Sequence, residues 1–508
     1  MHVPMTINQF LDRAALVAPD NVAIIDESDV LGNLGTLTYA EMRDRANGLS
    51  ATLQQLGIRE GDRVAIVSAN SAKFLISFFG VSGSGRVLVP INYRLSKQDI
   101  AYIVEHSGAS LVLVDPEVHD LVSDLRVPTI VLDGTDDAQL FAPLGERVRV
   151  AVDLSEDATC SINYTSGTTA RPKGVELTHR NCYLNAMTFG WHLSVSDRDV
   201  LLHVLPMFHV NGWGMPYGAT AMGAKHVVLR KVDGNEILDR VNREQVTLLC
   251  CAPAVVSSIL DAHRARGKGS SVRSGVRIVV AGAPPPSKIV EQVETELGWE
   301  FIQIYGLTET SPLLTINRAR PEWDDLAPSA RATLLARAGV PAIGVEIAVS
   351  QSGEILARSN HVFRGYYNQE DATAEALEGG WFHTGDGGYL DGAFTVITDR
   401  KKDVIITGGE NVSSIEVEDC LFRHEAVAEV AVIGTPDEKW GELVTALVVL
   451  RPGAVATKDE LFAHCREHLA HFKAPKRIEF KEHLARTATG KLQKYKLREE
   501  YWKSPTTP

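Results

Sequence analysis

Short apolar runs with strand character alternate with amphipathic stretches of helical spacing along most of the chain, an alternation that confines it to a layered α/β architecture. The run Arg63–Val67 precedes a helical stretch at residues 71–79, and residues 85–91 return to strand character. Residues 277–281, 287–297 and 301–305 repeat the order strand, helix, strand, which predicts parallel pairing. Open α/β sheets bind ligands beyond the carboxyl ends of their strands, so the loops at residues 282–286 and 306–309 are the first candidates for a site. From Asp399 onward the pattern changes: a charged segment leads to strands at residues 430–434 and 444–450 and a helix at residues 458–470. Thr457 and Glu460 give that helix a capping box, and Leu461, Phe462, Cys465 and Leu469 its apolar stripe. A second, smaller domain is expected there.

Composition narrows the function classes. A chain of 508 residues buries a large core, and 51 basic against 64 acidic residues leave a net charge of −13. Such a chain lacks the overall field that gathers nucleic acid non-specifically, although a local basic patch still suits a phosphorylated ligand. The six cysteines form no CxxC pair, and adjacent Cys250 and Cys251 are poorly placed to bridge each other, so reduced thiols in the cytoplasm are expected. Residues 1–10 show neither a basic region nor a long apolar run, so no signal peptide is read. Residues 200–224 carry no formal charge and are long enough to span a bilayer. Pro206, Pro216, Asn211, His203 and His209 would leave polar groups unsatisfied in lipid, so the stretch reads as a buried pocket wall. The basic run at residues 473–503 reads as a solvated face, with the phosphates of a ligand or an anionic membrane surface as its alternatives.

The segment richest in chemistry is Tyr164-Thr-Ser-Gly-Thr-Thr-Ala-Arg-Pro-Lys-Gly174. Its hydroxyls and backbone amides can donate to phosphate oxygens, and Lys173 adds charge. Gly174 follows the lysine where a P-loop needs Ser or Thr, so that pattern is not met. Alone, the segment could equally be a polar turn. It is followed in order by Pro206-Met-Phe-His-Val-Asn-Gly-Trp213, Gly282-Ala-Pro284, Tyr305-Gly-Leu-Thr-Glu-Thr310, Trp381-Phe-His-Thr-Gly-Asp386, Asp399-Arg-Lys-Lys-Asp403, Gly408-Gly-Glu-Asn411 and Thr489-Gly-Lys491. With these signatures, over almost its whole length, the chain resembles the adenylate-forming superfamily of acyl-CoA synthetases, peptide-synthetase adenylation domains and luciferases. It departs from the family pattern at Ala170 and Ala485, where glycine and proline are usual, and in a short hairpin at residues 344–358.

The resemblance implies an α/β fold whose large N-terminal domain, residues 1–399, layers β-sheets and helices and includes a small β-barrel-like subdomain. A hinge at 400–402, with Lys402 as pivot, would lead to a mobile α+β domain at 403–508 carrying Lys491. The implied reaction is attack of a carboxylate on the α-phosphate of ATP, giving acyl-AMP and pyrophosphate, followed by transfer to coenzyme A. Such chemistry needs positioning and neutralisation of developing negative charge. By motif match, Lys491, Thr308, Glu309 and His209 are the catalytic residues, with Glu309 and Thr168 as ligands of Mg2+, the expected cofactor. Thr165, Ser166, Gly167, Thr168, Thr169 and Lys173 would hold phosphates. Gly282, Ala283, Pro284, Tyr305 and Gly306 would flank adenine, and Asp386 with Arg400 would take the ribose. Gly408, Gly409 and Glu410 would line the coenzyme A path.

Trp213, Asn211 and Gly212 are the expected acyl-pocket residues, with Trp213 as a gate or else a core tryptophan. No aspartate stands in the Pro206–Trp213 motif to pair with an amino group, so a non-amino acid is favoured. The uncharged wall leads to a medium- to long-chain fatty acid as first expectation, with aryl, branched or sulfur-containing short acids behind. A ligase loading a carrier protein and a non-catalytic acyl-adenylate sensor are the rivals. Expected partners are ATP, the acid and coenzyme A, without nucleic acid and with membrane contact peripheral at most; a homodimer stays open.

Overall fold

A computed structural model describes residues 2–148, 153–165, 171–267, 271–400, 403–408, 410–437, 439–486 and 492–502, with only the backbone of Arg400. Two large sheets dominate. The first runs Gly365–Tyr366, Lys173–Thr178, Thr159–Thr165, Val87–Ile91, Arg63–Val67, Ala109–Val114 and Thr129–Val131. The second has nine strands, with a parallel centre of Glu300–Gly306, Arg277–Val280, Leu248–Cys251, Val200–His203 and Lys225–Val228. Residues 85–91 narrow to Val87–Ile91, and the helix Ser287–Leu297 forms as the spacing predicts.

The main core lies where the sheets meet. Helix Ala72–Gly80, capped by the Ser71 hydroxyl accepting from the Phe74 amide, is buried along every residue. Adjacent Cys250 and Cys251 point to opposite faces of their strand and enter different core clusters, as the two-residue period of a strand requires. All six cysteines are free and buried. The uncharged residues 200–224 break into strand Val200–His203, a short turn Val210–Trp213 and helix Met215–Met222. Among the described residues no helix is long and apolar enough to cross a membrane.

A third sheet, Val345–Val349, Glu354–Ser359, Phe382–Asp391 and Phe394–Arg400, is antiparallel throughout. Its four strands pair in that order, and Gly339 bridges Thr395 on the last of them. The short hairpin at residues 344–358 keeps full register from Val345 to Val349.

The small C-terminal domain centres on Val427–Asp437 paired with Gly441–Leu450, with Arg477–Phe480 parallel to the latter. Val430 and Val432 face helices Ser414–Phe422 and Lys458–His468, while Ala431 and Ile433 on the alternate face pack with Leu497 of helix Lys494–Trp502. The expected capping box of Thr457 and Glu460 is present. Ser287, at the start of its helix, donates through its amide and hydroxyl to Asp419 Oδ1 at 2.9 and 3.1 Å, joining the small domain to the large one. Part of the basic C-terminal run is paired within its own domain: Lys473 with Glu416, Lys481 with Glu500, Arg486 with Glu429 and Lys494 with Glu418, while Lys476 and Arg477 are exposed.

Candidate active site

Loops after the parallel strands Val200–His203, Arg277–Val280 and Glu300–Gly306 carry the motifs, at the strand ends where an α/β sheet places ligands. Strand Thr159–Thr165 pairs antiparallel with Lys173–Thr178, with Thr165 opposite Lys173, so these two strands flank the phosphate-loop candidate. Ser166, Gly167, Thr168 and Thr169 lie outside the described residues, as do Lys402, Gly409, Lys491 and the Arg400 side chain.

Tyr366 connects the two charged groups expected around the phosphates. Its hydroxyl donates to Glu309 Oε1 at 2.9 Å, and Lys173 Nζ stands 4.6 Å from its ring centroid. Strand Gly365–Tyr366 pairs with Lys173–Thr178, while Phe363 donates its amide to the Glu309 carbonyl at 2.8 Å. Burial, followed by the charge and hydrogen bond of Glu309, pushes the Tyr366 hydroxyl well above its ordinary pKa and keeps it a donor. The sequence reading missed Tyr366, because a two-residue strand carries no periodicity.

Thr308 opens the short turn Thr308–Thr310 and, like Glu309, is half-buried. Gly306 just before it has no room for a side chain: a Cβ there would fall 1.6 Å from the Pro312 carbonyl oxygen. Gly282, Ala283 and Pro284 are exposed in the neighbouring loop, with Gly282 at φ +95°. Tyr305, expected at adenine, donates its hydroxyl to Asp386 Oδ2 at 2.8 Å and so ties the nine-stranded sheet to the third sheet. Asp386 is 7% exposed, its amide bonds the Thr384 hydroxyl at 3.1 Å, and its cross-strand partner is Arg400.

The Pro206–Trp213 motif makes an uncommon backbone. Val210, Asn211, Gly212, Trp213 and Gly214 all have φ between 48° and 73°, one left-handed turn. Such a conformation costs about 1–2 kcal/mol for each residue other than glycine, so the surroundings must impose it. Asn211 is buried, donates to Ser161 Oγ at 2.8 Å and accepts from Asn163 Nδ2 at 3.2 Å. Asn185 donates to the Trp213 carbonyl at 3.2 Å, and Asn70 accepts from the Met207 amide at 2.7 Å. Asn211 therefore faces the strand that leads into the phosphate-loop candidate; its amide makes those bonds because a buried amide must be satisfied. The Gly212 position abuts the Pro216 ring, and Trp213, 4% exposed, packs in the main core. His209 stays half-buried at the start of the turn, its carbonyl accepting from the Gly212 amide at 3.0 Å.

In the small domain Gly408, at φ +60°, sits under the Trp440 ring, which a Cβ would approach to 2.8 Å. Glu410 is exposed on the next strand. Arg486 and Leu492, the described residues on either side of Lys491 in the chain, form an antiparallel bridge.

Comparison with known proteins agrees with this geometry. Residues 11–367 match the family model for AMP-binding enzymes, and residues 416–491 the model for the AMP-binding enzyme C-terminal domain. The chain is 37% identical to 4-hydroxybutyrate–CoA ligase 2 of Metallosphaera sedula over 97% of its own length and 93% of the relative's. It is 34% identical to 2-methylpropanoate–CoA ligase of Humulus lupulus, covering 98% and 95%. Its fold matches o-succinylbenzoate CoA synthetase of Bacillus subtilis, solved with the acyl-adenylate intermediate, at TM-score 0.83 and 29% identity over 97% and 98% of the chains. The same synthetase with ATP and a magnesium ion superposes at TM-score 0.82. The fold is thus shared throughout with CoA ligases, and the chain belongs to the AMP-binding enzymes of the adenylate-forming superfamily as an acid–thiol ligase.

Proposed function

We propose that the protein makes acyl-CoA thioesters, through an acyl-AMP intermediate, from a short acid of aliphatic, branched or aryl type. The observation that carries the choice of acid is the packing of the pocket wall. Residues 210–220 are buried without a break, and Met207, Phe208, Trp213, Met215 and Tyr217 fill the main core. Tyr217 is held edge-on by Phe78 and Phe79, with ring centroids 5.4 and 5.8 Å away. Side chains engaged in the core leave little length for an acyl tunnel, and interiors packed this densely yield poorly. The relatives named for 4-hydroxybutyrate and 2-methylpropanoate support the same reading over the medium- to long-chain fatty acid expected first.

Roles follow from position. Asp386, held by the Tyr305 hydroxyl, accepts the two ribose hydroxyls, and Gly282 with Ala283 allows adenine to approach the backbone. Lys173 and the hydroxyls of Thr165, Ser166, Thr168 and Thr169 hold the β- and γ-phosphates. Glu309, a hard oxygen donor fixed by Tyr366, fits Mg2+, with Thr168 as the second donor; bound, the ion neutralises phosphate charge. Lys491 swings in on the small domain, about a hinge at 400–402, to stabilise charge on the α-phosphate. After rotation Gly408, Gly409 and Glu410 border the coenzyme A path.

The test separates the half-reactions. Lys491→Ala should lower pyrophosphate release by about 1,000-fold or more while thioester formation from supplied acyl-AMP persists. Equal loss of both half-reactions would contradict the assigned role.

A further inference from the structure

Helices Ser414–Phe422 and Lys458–His468 of the small domain carry a cluster that adenylation does not use. Cys420 on the first helix and His464 and His468 on the second each offer one ligand atom, and these atoms lie within 4.8 Å of one another. His464 and His468 are four residues apart, hence on one helix face, with ring centroids separated by 4.6 Å. The cluster opens from the core outward: Cys420 is buried, His464 half-buried and His468 exposed.

The hydrogen bonds around the two imidazoles favour a ligand. His464 Nε2 bonds the Cys420 carbonyl at 2.9 Å, and His468 Nδ1 bonds the His464 carbonyl at 2.8 Å. A carbonyl only accepts, so each ring donates its N–H there and keeps a lone pair on its other nitrogen, Nδ1 of His464 and Nε2 of His468. Metal-bound histidines are oriented in this way by a backbone carbonyl on the second nitrogen. His424, edge-on to His464 at 5.3 Å, forms a wall: its Nδ1 accepts from the Ala426 amide at 3.3 Å.

We infer that Cys420, His464 and His468 bind a zinc ion, with water in the fourth position. One thiolate and two imidazoles suit zinc and exclude magnesium, whose ligands are hard oxygens, so the site is chemically distinct from Glu309. Zinc holds such donors at about 2.0–2.3 Å, which puts them about 3.5 Å apart in a tetrahedron. No pair starts more than 4.8 Å apart, so closing the set shortens each separation by about 1.3 Å or less. Binding replaces the Cys420 S–H bond by a sulfur–zinc bond and releases that proton to solvent. The ion would clamp the two helices together beside Asp419, the residue that contacts Ser287 of the large domain.

The experiment titrates Co2+ and then Zn2+ into the full-length protein, stripped of metal and kept reduced. One Co2+ per chain should bind with a thiolate-to-cobalt charge-transfer band, and Zn2+ should displace it with a dissociation constant of about 1 µM or lower. Cys420→Ser should abolish the band. His468→Ala, at an exposed position, should weaken zinc at least about 10-fold, with adenylation rates unchanged in both variants. Absence of the band, a band retained in Cys420→Ser, or unaltered zinc affinity in His468→Ala would overturn the assignment while leaving the ligase reading untouched.

Discussion

At the scale of residues, the charged groups of the site depend on neighbours that carry no charge. Tyr366 holds Glu309 by a hydrogen bond to a carboxylate, an interaction of about 1.5–3 kcal/mol. Tyr366→Phe should therefore lower kcat/KM for pyrophosphate release about 10-fold or more with little change in melting temperature; unchanged kinetics would remove Tyr366 from the account. The sequence names Glu309, Lys173 and Asp386 because each sits in a recognisable motif. It does not name Tyr366, which matters only because a two-residue edge strand brings it between two of them. For Asn211 the motif suggests a pocket residue but says nothing of its partners, and the buried amide bonds Ser161 and Asn163.

At the scale of elements, those with local causes were legible. Helix Ser287–Leu297 and the capped helix Lys458–His468 follow from apolar spacing and cap residues, and strand Arg63–Val67 from its apolar run. The left-handed turn from Val210 to Gly214 was not legible, since valine and tryptophan disfavour positive φ and only distant partners hold them there. If Asn211 fixes that turn, Asn211→Ala should destabilise the fold by about 1–3 kcal/mol in denaturant titration, because Ser161 and Asn163 lose their partner. A change below about 0.5 kcal/mol would mean that packing alone imposes the turn.

At the scale of the whole molecule, buried histidines make stability depend on pH. His203 and His226 stack with Nε2 and Nδ1 2.8 Å apart, and burial lowers His203 to about 3 and His226 well below its ordinary value. Burial lowers His179 to about 4. Between these values and the unfolded value of about 6.5, the unfolded chain binds more protons than the folded one, so stability falls as pH drops. Each such histidine contributes up to about 1.4 kcal/mol per pH unit over that window. The melting temperature should be lower at pH 5.5 than at pH 7.5, with a shallower slope in His203→Gln; an equal slope would contradict the assignment. Domain docking is a second property of the whole. Ser287→Ala removes one of two hydrogen bonds to Asp419 and should speed tryptic cleavage near the proposed hinge at 400–402 several-fold. Neither property shows in the sequence, since both join residues far apart in the chain.

The central claim is that this ligase fold activates a short acid. It is tested most directly by incubating the protein with Mg-ATP and competing carboxylic acids from butyrate and 2-methylpropanoate through benzoate to palmitate, with and without coenzyme A, and identifying products by mass spectrometry. Acyl-CoA should form only when coenzyme A is present, with the short and branched acids consumed first. Preferential consumption of palmitate, or acyl-AMP accumulating undiminished in the presence of coenzyme A, would contradict it.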